Sequence, residues 1–133
     1  MDAKSEFRIT SWDEQAYAEF AGPEKLTRAI TAQRYTGDLA GESRGDSLMY
    51  YGPGDAPVRY VGLERFTATV GGRSGTFVVQ ATGTYADGVA ETTWSVVPGS
   101  GTGELAGLRG TGGYRAEHGA GAVPVDFSYS FEE

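Results

Sequence analysis

Residues Trp94–Tyr114, WSVVPGSGTGELAGLRGTGGY, decide the fold class because they admit two incompatible readings. The run Gly101-Thr102-Gly103-Glu104-Leu105-Ala106 fits the loose pattern G-x-G-x-x-G/A of a dinucleotide-binding turn. That turn works only where a helix opens directly after it, so that the helix N-terminal amides face the pyrophosphate. Seven of the sixteen residues from Gly99 to Tyr114 are glycine, and each one inside a helix costs about 1 kcal/mol relative to alanine. Gly107, Gly110, Gly112 and Gly113 leave room for one short turn near Glu104–Arg109. The stretch therefore reads as a bulged connection between strands that runs close to other backbone. Ser100 lacks the first glycine of a G-x-S-x-G nucleophile elbow and reads as a turn serine.

The flanking sequence supports an all-β chain. Residues Val58–Val70 give the cleanest alternation, with Val58, Tyr60, Gly62, Glu64, Phe66, Ala68 and Val70 on one face. Phe7, Ile9 and Ser11 alternate with Arg8, Thr10 and Trp12 in a first strand, while Asp13–Pro23 is open between a helical turn and a continuation of that strand. Lys25–Thr36 is a second strand, with Leu26, Ile30 and Ala32 opposite a threonine-rich face. Gly37–Tyr51 reads as a loop or wide hairpin tip leading into a strand at Leu48–Tyr51, which leaves Arg44-Gly45-Asp46 in a solvated loop. Strands at Thr76–Thr82, Glu91–Val97 and Val125–Phe131 follow, with turns at Gly52–Asp55, Gly71-Gly72 and Asp87-Gly88. Seven to eight short strands with no long amphipathic helix suggest a sandwich or an up-and-down barrel, and closing the sheet removes sticky edges.

Length and charge bound the function. The chain has 133 residues, enough for one domain spanning 1–133 with a real core. Eleven basic and eighteen acidic residues give a formal charge of −7, which disfavours nucleic acid and anionic membranes as partners. There is no cysteine, so disulfides and thiolate metal sites are excluded. The N-terminus carries no signal-like apolar run, and a cytoplasmic location is the expectation. His118 is the single histidine and sits in a glycine-rich loop, which argues against a histidine-based metal site; no metal or cofactor is expected.

The candidate chemistry lies on the apolar stripes. Glu64 interrupts one, and if that face lines a lumen, desolvation raises its pKa and makes it a candidate general acid or base. Arg28, Arg59 and Arg65 compete as ordinary salt-bridge partners for it. Trp12, Tyr51, Tyr60, Phe66, Gln80 and Trp94 are candidates for the walls and hydrogen bonds of a ligand pocket.

Two segments, Gly75–Gln80 (GTFVVQ) and Val96–Gly110 (VVPGSGTGELAGLRG), resemble the bacterial domain-of-unknown-function family numbered 3224, and the order of elements fits from about Glu6 to Phe131. The resemblance implies a single closed antiparallel barrel of about eight strands, of the allene oxide cyclase-like, calycin-like kind, with at most short helical turns. It implies no established activity. Where the family pattern has histidine after the glutamine matching Gln80, this chain has Ala81. Where the pattern approaches the last strand through a histidine–aromatic pair, it has Val123-Pro124-Val125. A site built on those histidines would be missing here. Three functions follow as expectations: a barrel binding a small hydrophobic molecule, a cyclase- or isomerase-type enzyme using Glu64, and a homo-oligomeric scaffold with Leu26, Arg28, Ile30 and Arg34 on its outer face.

Overall fold

The computed structural model describes residues 1–132 and is an eight-stranded antiparallel barrel. Its strands are β1 (Asp2–Glu19), β2 (Lys25–Gly37), β3 (Leu39–Tyr51), β4 (Val58–Val70), β5 (Arg73–Ala86), β6 (Val89–Val96), β7 (Leu108–Glu117) and β8 (Val123–Phe131). Each pairs with its neighbours in sequence, and β1 closes the ring against β8 from Asp2↔Ser128 to Phe7↔Val123. Of the sandwich and the barrel that the strand spacing allows, the closed barrel forms, as the family resemblance implies. Gly71-Gly72 and Asp87-Gly88 carry positive φ at both positions, the two-residue turn whose twist matches the strands it joins. No helix among the described residues is long and apolar enough to cross a membrane.

Three segments differ from the sequence reading. The undecided run after Asp13 is strand, because β2 pairs with β1 as far as Glu19↔Lys25. Residues 39–47 are strand and not a hairpin tip, since β3 pairs with β2 from Tyr51 to Gly41 and with β4 from Leu39 to Tyr50. Arg44-Gly45-Asp46 is thus held inside a sheet, with Asp46 ion-paired to Arg28 at 2.6 Å. Finally, part of the glycine run is itself a strand, β7. A side chain at Gly112 would meet the Trp94 indole at 2.6 Å, so glycine provides the space in which that buried ring lies against the facing strand.

The lumen has two regions. Towards one end it is filled by aromatic rings: Phe66 stacks on Phe77 with centroids 4.6 Å apart, Trp94 packs on Phe127 at 5.0 Å, and Tyr35 packs on Phe66 at 4.9 Å. Leu39, Val70, Val79, Leu108 and Val125 complete this core, all fully or nearly fully buried. The connection from β6 to β7 covers that end. It runs along β5, with the Val97 amide donating to Val78 O at 2.8 Å and the Thr102 amide to Thr76 O at 2.9 Å. The Ser100 hydroxyl accepts from the Val78 amide at 3.0 Å, so its role is that of a turn serine. A 3-10 turn, Gly103–Leu105, then drives Leu105 into the core with no exposed surface. Gly101 is needed for this fit, because a Cβ there would lie 2.0 Å from Leu105 O.

Candidate functional site

Above the aromatic core the lumen is a cavity of about 470 Å³, opening at the end that carries the β7–β8 turn. Its volume lies within the range of small-molecule sites. A larger concavity of about 1000 Å³ lies over β5–β8 near Thr82, Arg115 and Asp126, but it is open to solvent. The lumen is the better candidate, because the barrel wall surrounds it and shields what it contains from solvent more than the open concavity does.

The inward faces follow from the strand period of two. On β4, Val58, Tyr60, Gly62 and Glu64 face the cavity and Phe66, Ala68 and Val70 continue downwards into the core. On β2 the inward residues are Ala29, Thr31 and Gln33 of the threonine-rich face, above Tyr35 in the core. β1 breaks its period: the register shifts between Ile9 and Ser11, so that Ile9 pairs with Gln33 and Trp12 with Thr31. This bulge turns Trp12 and Glu14 to the same side as Phe7 and Ile9, and all four line the cavity.

Glu64 marks the cavity floor. The Tyr35 hydroxyl donates to its Oε2 at 2.8 Å, and Ser43 Oγ hydrogen-bonds to the same oxygen. Ser43 Oγ also lies 3.0 Å from Gln33 Oε1, and Gln33 Nε2 donates to Thr31 Oγ1 at 2.7 Å. A serine hydroxyl has one proton, and Gln33 Oε1 can only accept. With its single proton, Ser43 Oγ donates either to Glu64 Oε2 or to Gln33 Oε1 and not to both at once. Burial raises the Glu64 pKa above its usual value, although the hydrogen bonds from Ser43 and Tyr35 oppose it. Oε1 has no hydrogen-bond partner among the described residues. None of the arginines weighed as partners pairs with Glu64 among the described residues.

Glu14 forms a second carboxylate site near the mouth. Its Oε2 accepts from Thr27 Oγ1 at 2.7 Å and from the Tyr51 hydroxyl, and its Oε1 accepts from Trp12 Nε1 at 3.2 Å. Burial pushes its pKa up, but these three donors and the charge of Lys25 outweigh it and hold Glu14 below its ordinary value. The partner, Tyr51, is pushed up to about 12 by burial and by the carboxylate it faces. Between the two carboxylates, Tyr60 shares a 2.6 Å hydrogen bond with Thr92. Tyr114 packs edge-on against Phe7 at 4.9 Å, and burial raises its pKa strongly.

The residues singled out in the sequence divide into three groups. Glu64, Trp12, Tyr51 and Tyr60 line the cavity. Phe66 and Trp94 lie below it in the packed core, since their rings fill the space that closes its floor. Gln80 is exposed on the outside of β5, one residue out of phase with Val79 and Ala81, so it does not reach the lumen. His118 is exposed at the mouth, as its loop position suggests. Glu14, Thr92 and Tyr114 were missed. Glu14 falls in the run that the sequence left undecided, and Tyr114 ends the glycine stretch where no strand was expected. Among the described residues no three His, Cys, Asp or Glu side chains gather in a metal-binding group.

The barrel has close relatives. A family model described as "Protein of unknown function (DUF3224)" matches residues 3–129. A crystal structure from Shewanella oneidensis MR-1, of a protein with unknown function from the DUF3224 family, is similar over 100% of this chain and 98% of that one. The two share 30% sequence identity, with a TM-score of 0.86. No curated protein matches the chain.

Proposed function

The chain belongs to the DUF3224 family, whose function is unknown, and we propose that it is a small-molecule-binding barrel that holds an amphiphilic ligand in its upper lumen. The observation that carries this reading is the enclosed cavity of about 470 Å³ above a solidly packed core. Apolar side chains such as Phe7, Ile9, Met49 and Val58 form much of its wall, and a few polar groups converge on its floor. This combination suits a ligand with an apolar body and one polar end. The test is to fill the cavity from within. Ala90→Phe places a ring in the lumen from a partly buried wall position. The unaltered protein is expected to bind a neutral apolar dye such as Nile red and to be stabilised by it, and the variant to keep its far-UV circular dichroism and lose that binding. Undiminished dye binding by the folded variant would overturn the reading.

A cyclase- or isomerase-type enzyme is the second reading, and Glu64 is what favours it. A carboxyl whose pKa is raised by burial is a stronger base once ionised, and Oε1 is the oxygen left to take a substrate proton. The allene oxide cyclase-like kinship implied by the sequence supports the same reading by analogy alone. It requires a bound ligand to change connectivity with time at constant mass, followed by NMR, and Glu64→Gln to stop that change.

A further inference from the structure

We propose that the ligand of this cavity carries a protonated amine and seats it on Glu64 Oε1 at the cavity floor. The inference rests on the binding reading above and names the ligand class. Its first support is the hydrogen-bond arrangement at the floor. Oε2 accepts from Tyr35 and Ser43, while Oε1 has no protein partner among the described residues. When the group is ionised, Oε1 is a carboxylate oxygen that asks the ligand for a donor. A ligand carbonyl or carboxylate placed there would set two acceptors against each other.

The second support is the charge of the lining. Glu14 and Glu64 are its acidic side chains, and no lysine or arginine lines the cavity among the described residues. An anionic head group would therefore be buried without a counter-ion, at the cost that isolated buried charges incur. An ammonium group would instead meet Glu64 as an ion pair with no net charge. The Tyr35 and Ser43 hydroxyls, which donate to Oε2, support the ionised form of Glu64 in such a pair. The third support is the wall. Phe7, Tyr60, Tyr114 and Trp12 bring aromatic rings to the cavity, and ring faces attract organic cations, as Tyr51 already holds the Lys25 ammonium 4.7 Å from its centroid. A carboxylate below aromatic walls, with no lining lysine or arginine to compete, selects an amine over an acid of the same shape.

The experiment uses the full chain and a matched probe series of phenylbutylamine, phenylbutanol and phenylbutanoate, each read by displacement of Nile red. The expected order is amine, then alcohol, then carboxylate, with the amine ahead of the alcohol by about tenfold, the scale of a charge-assisted pair. Glu64→Gln should bring amine and alcohol to within about twofold of each other while still binding the dye. If the alcohol or the carboxylate displaces dye as well as the amine does, or if Glu64→Gln keeps the amine preference, the amine assignment falls and the binding reading stands. If the unaltered protein binds no dye and no probe stabilises it against heat, both fall. The ranking in the unaltered protein is decisive by itself, so the inference does not depend on the variant folding.

Discussion

At the scale of the residue, Glu64 shows how one position is read in two stages. Its place among apolar neighbours on β4 is visible in the sequence, because a period of two assigns every second residue to one face. Its protonation is not, because that depends on Tyr35, Ser43 and Gln33, which two other strands bring to it. A carboxyl whose folded pKa is raised binds its proton more tightly in the native than in the unfolded chain. Its ionisation therefore removes stability as pH rises from the unfolded value through the raised folded one. Glu64→Gln lacks this loss. The difference in stability, variant minus unaltered protein, should grow more positive as pH rises above about 4, the unfolded carboxylate value, by at most about 1.4 kcal/mol per pH unit. Thermal melts of both proteins across that range check it, and a flat or falling difference would show that Glu64 ionises freely in the folded state. Glu14 makes the contrast. Three hydrogen-bond donors and Lys25 hold its pKa down, so two lining carboxylates are driven apart by their surroundings.

At the scale of the element, the errors of sequence reading have local physical causes. The β1 bulge inserts one residue and exchanges the two faces of the strand beyond it, so alternation read from Phe7 and Ile9 puts Trp12 on the wrong side. Strands β3 and β7 were shortened or missed because glycine is a poor strand former when judged alone. In the barrel those glycines are selected by neighbours, as Gly112 is by the Trp94 ring. The opening stretch was legible in outline: glycine density excludes a long helix, and a strand connection with one short turn is what forms. That this connection seals the packed end of the barrel through Leu105 was not legible, since the residues it covers come from distant segments. Leu105→Ala should cost about 2–5 kcal/mol, as expected for a fully buried leucine. Denaturant unfolding measures it; a loss well below about 1 kcal/mol would mean that the turn is not a structural plug.

At the scale of the whole molecule, the barrel depends on one pairing between the chain ends. All other strand pairs join neighbours in sequence, whereas β1 meets β8 across almost the whole chain. Closing so long a loop is entropically costly and is the step least suited to an early nucleus. Val125, opposite Ser5 in that seam and 2% exposed, reports on it. Val125→Ala should destabilise by about 2 kcal/mol and act mainly by speeding unfolding, with little change in the folding rate. Stopped-flow chevrons distinguish the cases, and slowed folding as the main effect would place the closure in the nucleus. The sequence by itself determined the fold class, the hairpin turns, the apolar stripe of β4 with its lone carboxylate, and the glycine-rich connection. These are encoded in short windows, where alternation and backbone preference act directly. The tertiary structure decided where packing stops and the cavity begins, that Gln80 faces outwards while Glu14 and Tyr114 face in, and which oxygen of Glu64 is free. Those properties arise only when strands far apart in the chain are closed into one ring, because desolvation and hydrogen-bond counts belong to the enclosed space and not to any one segment.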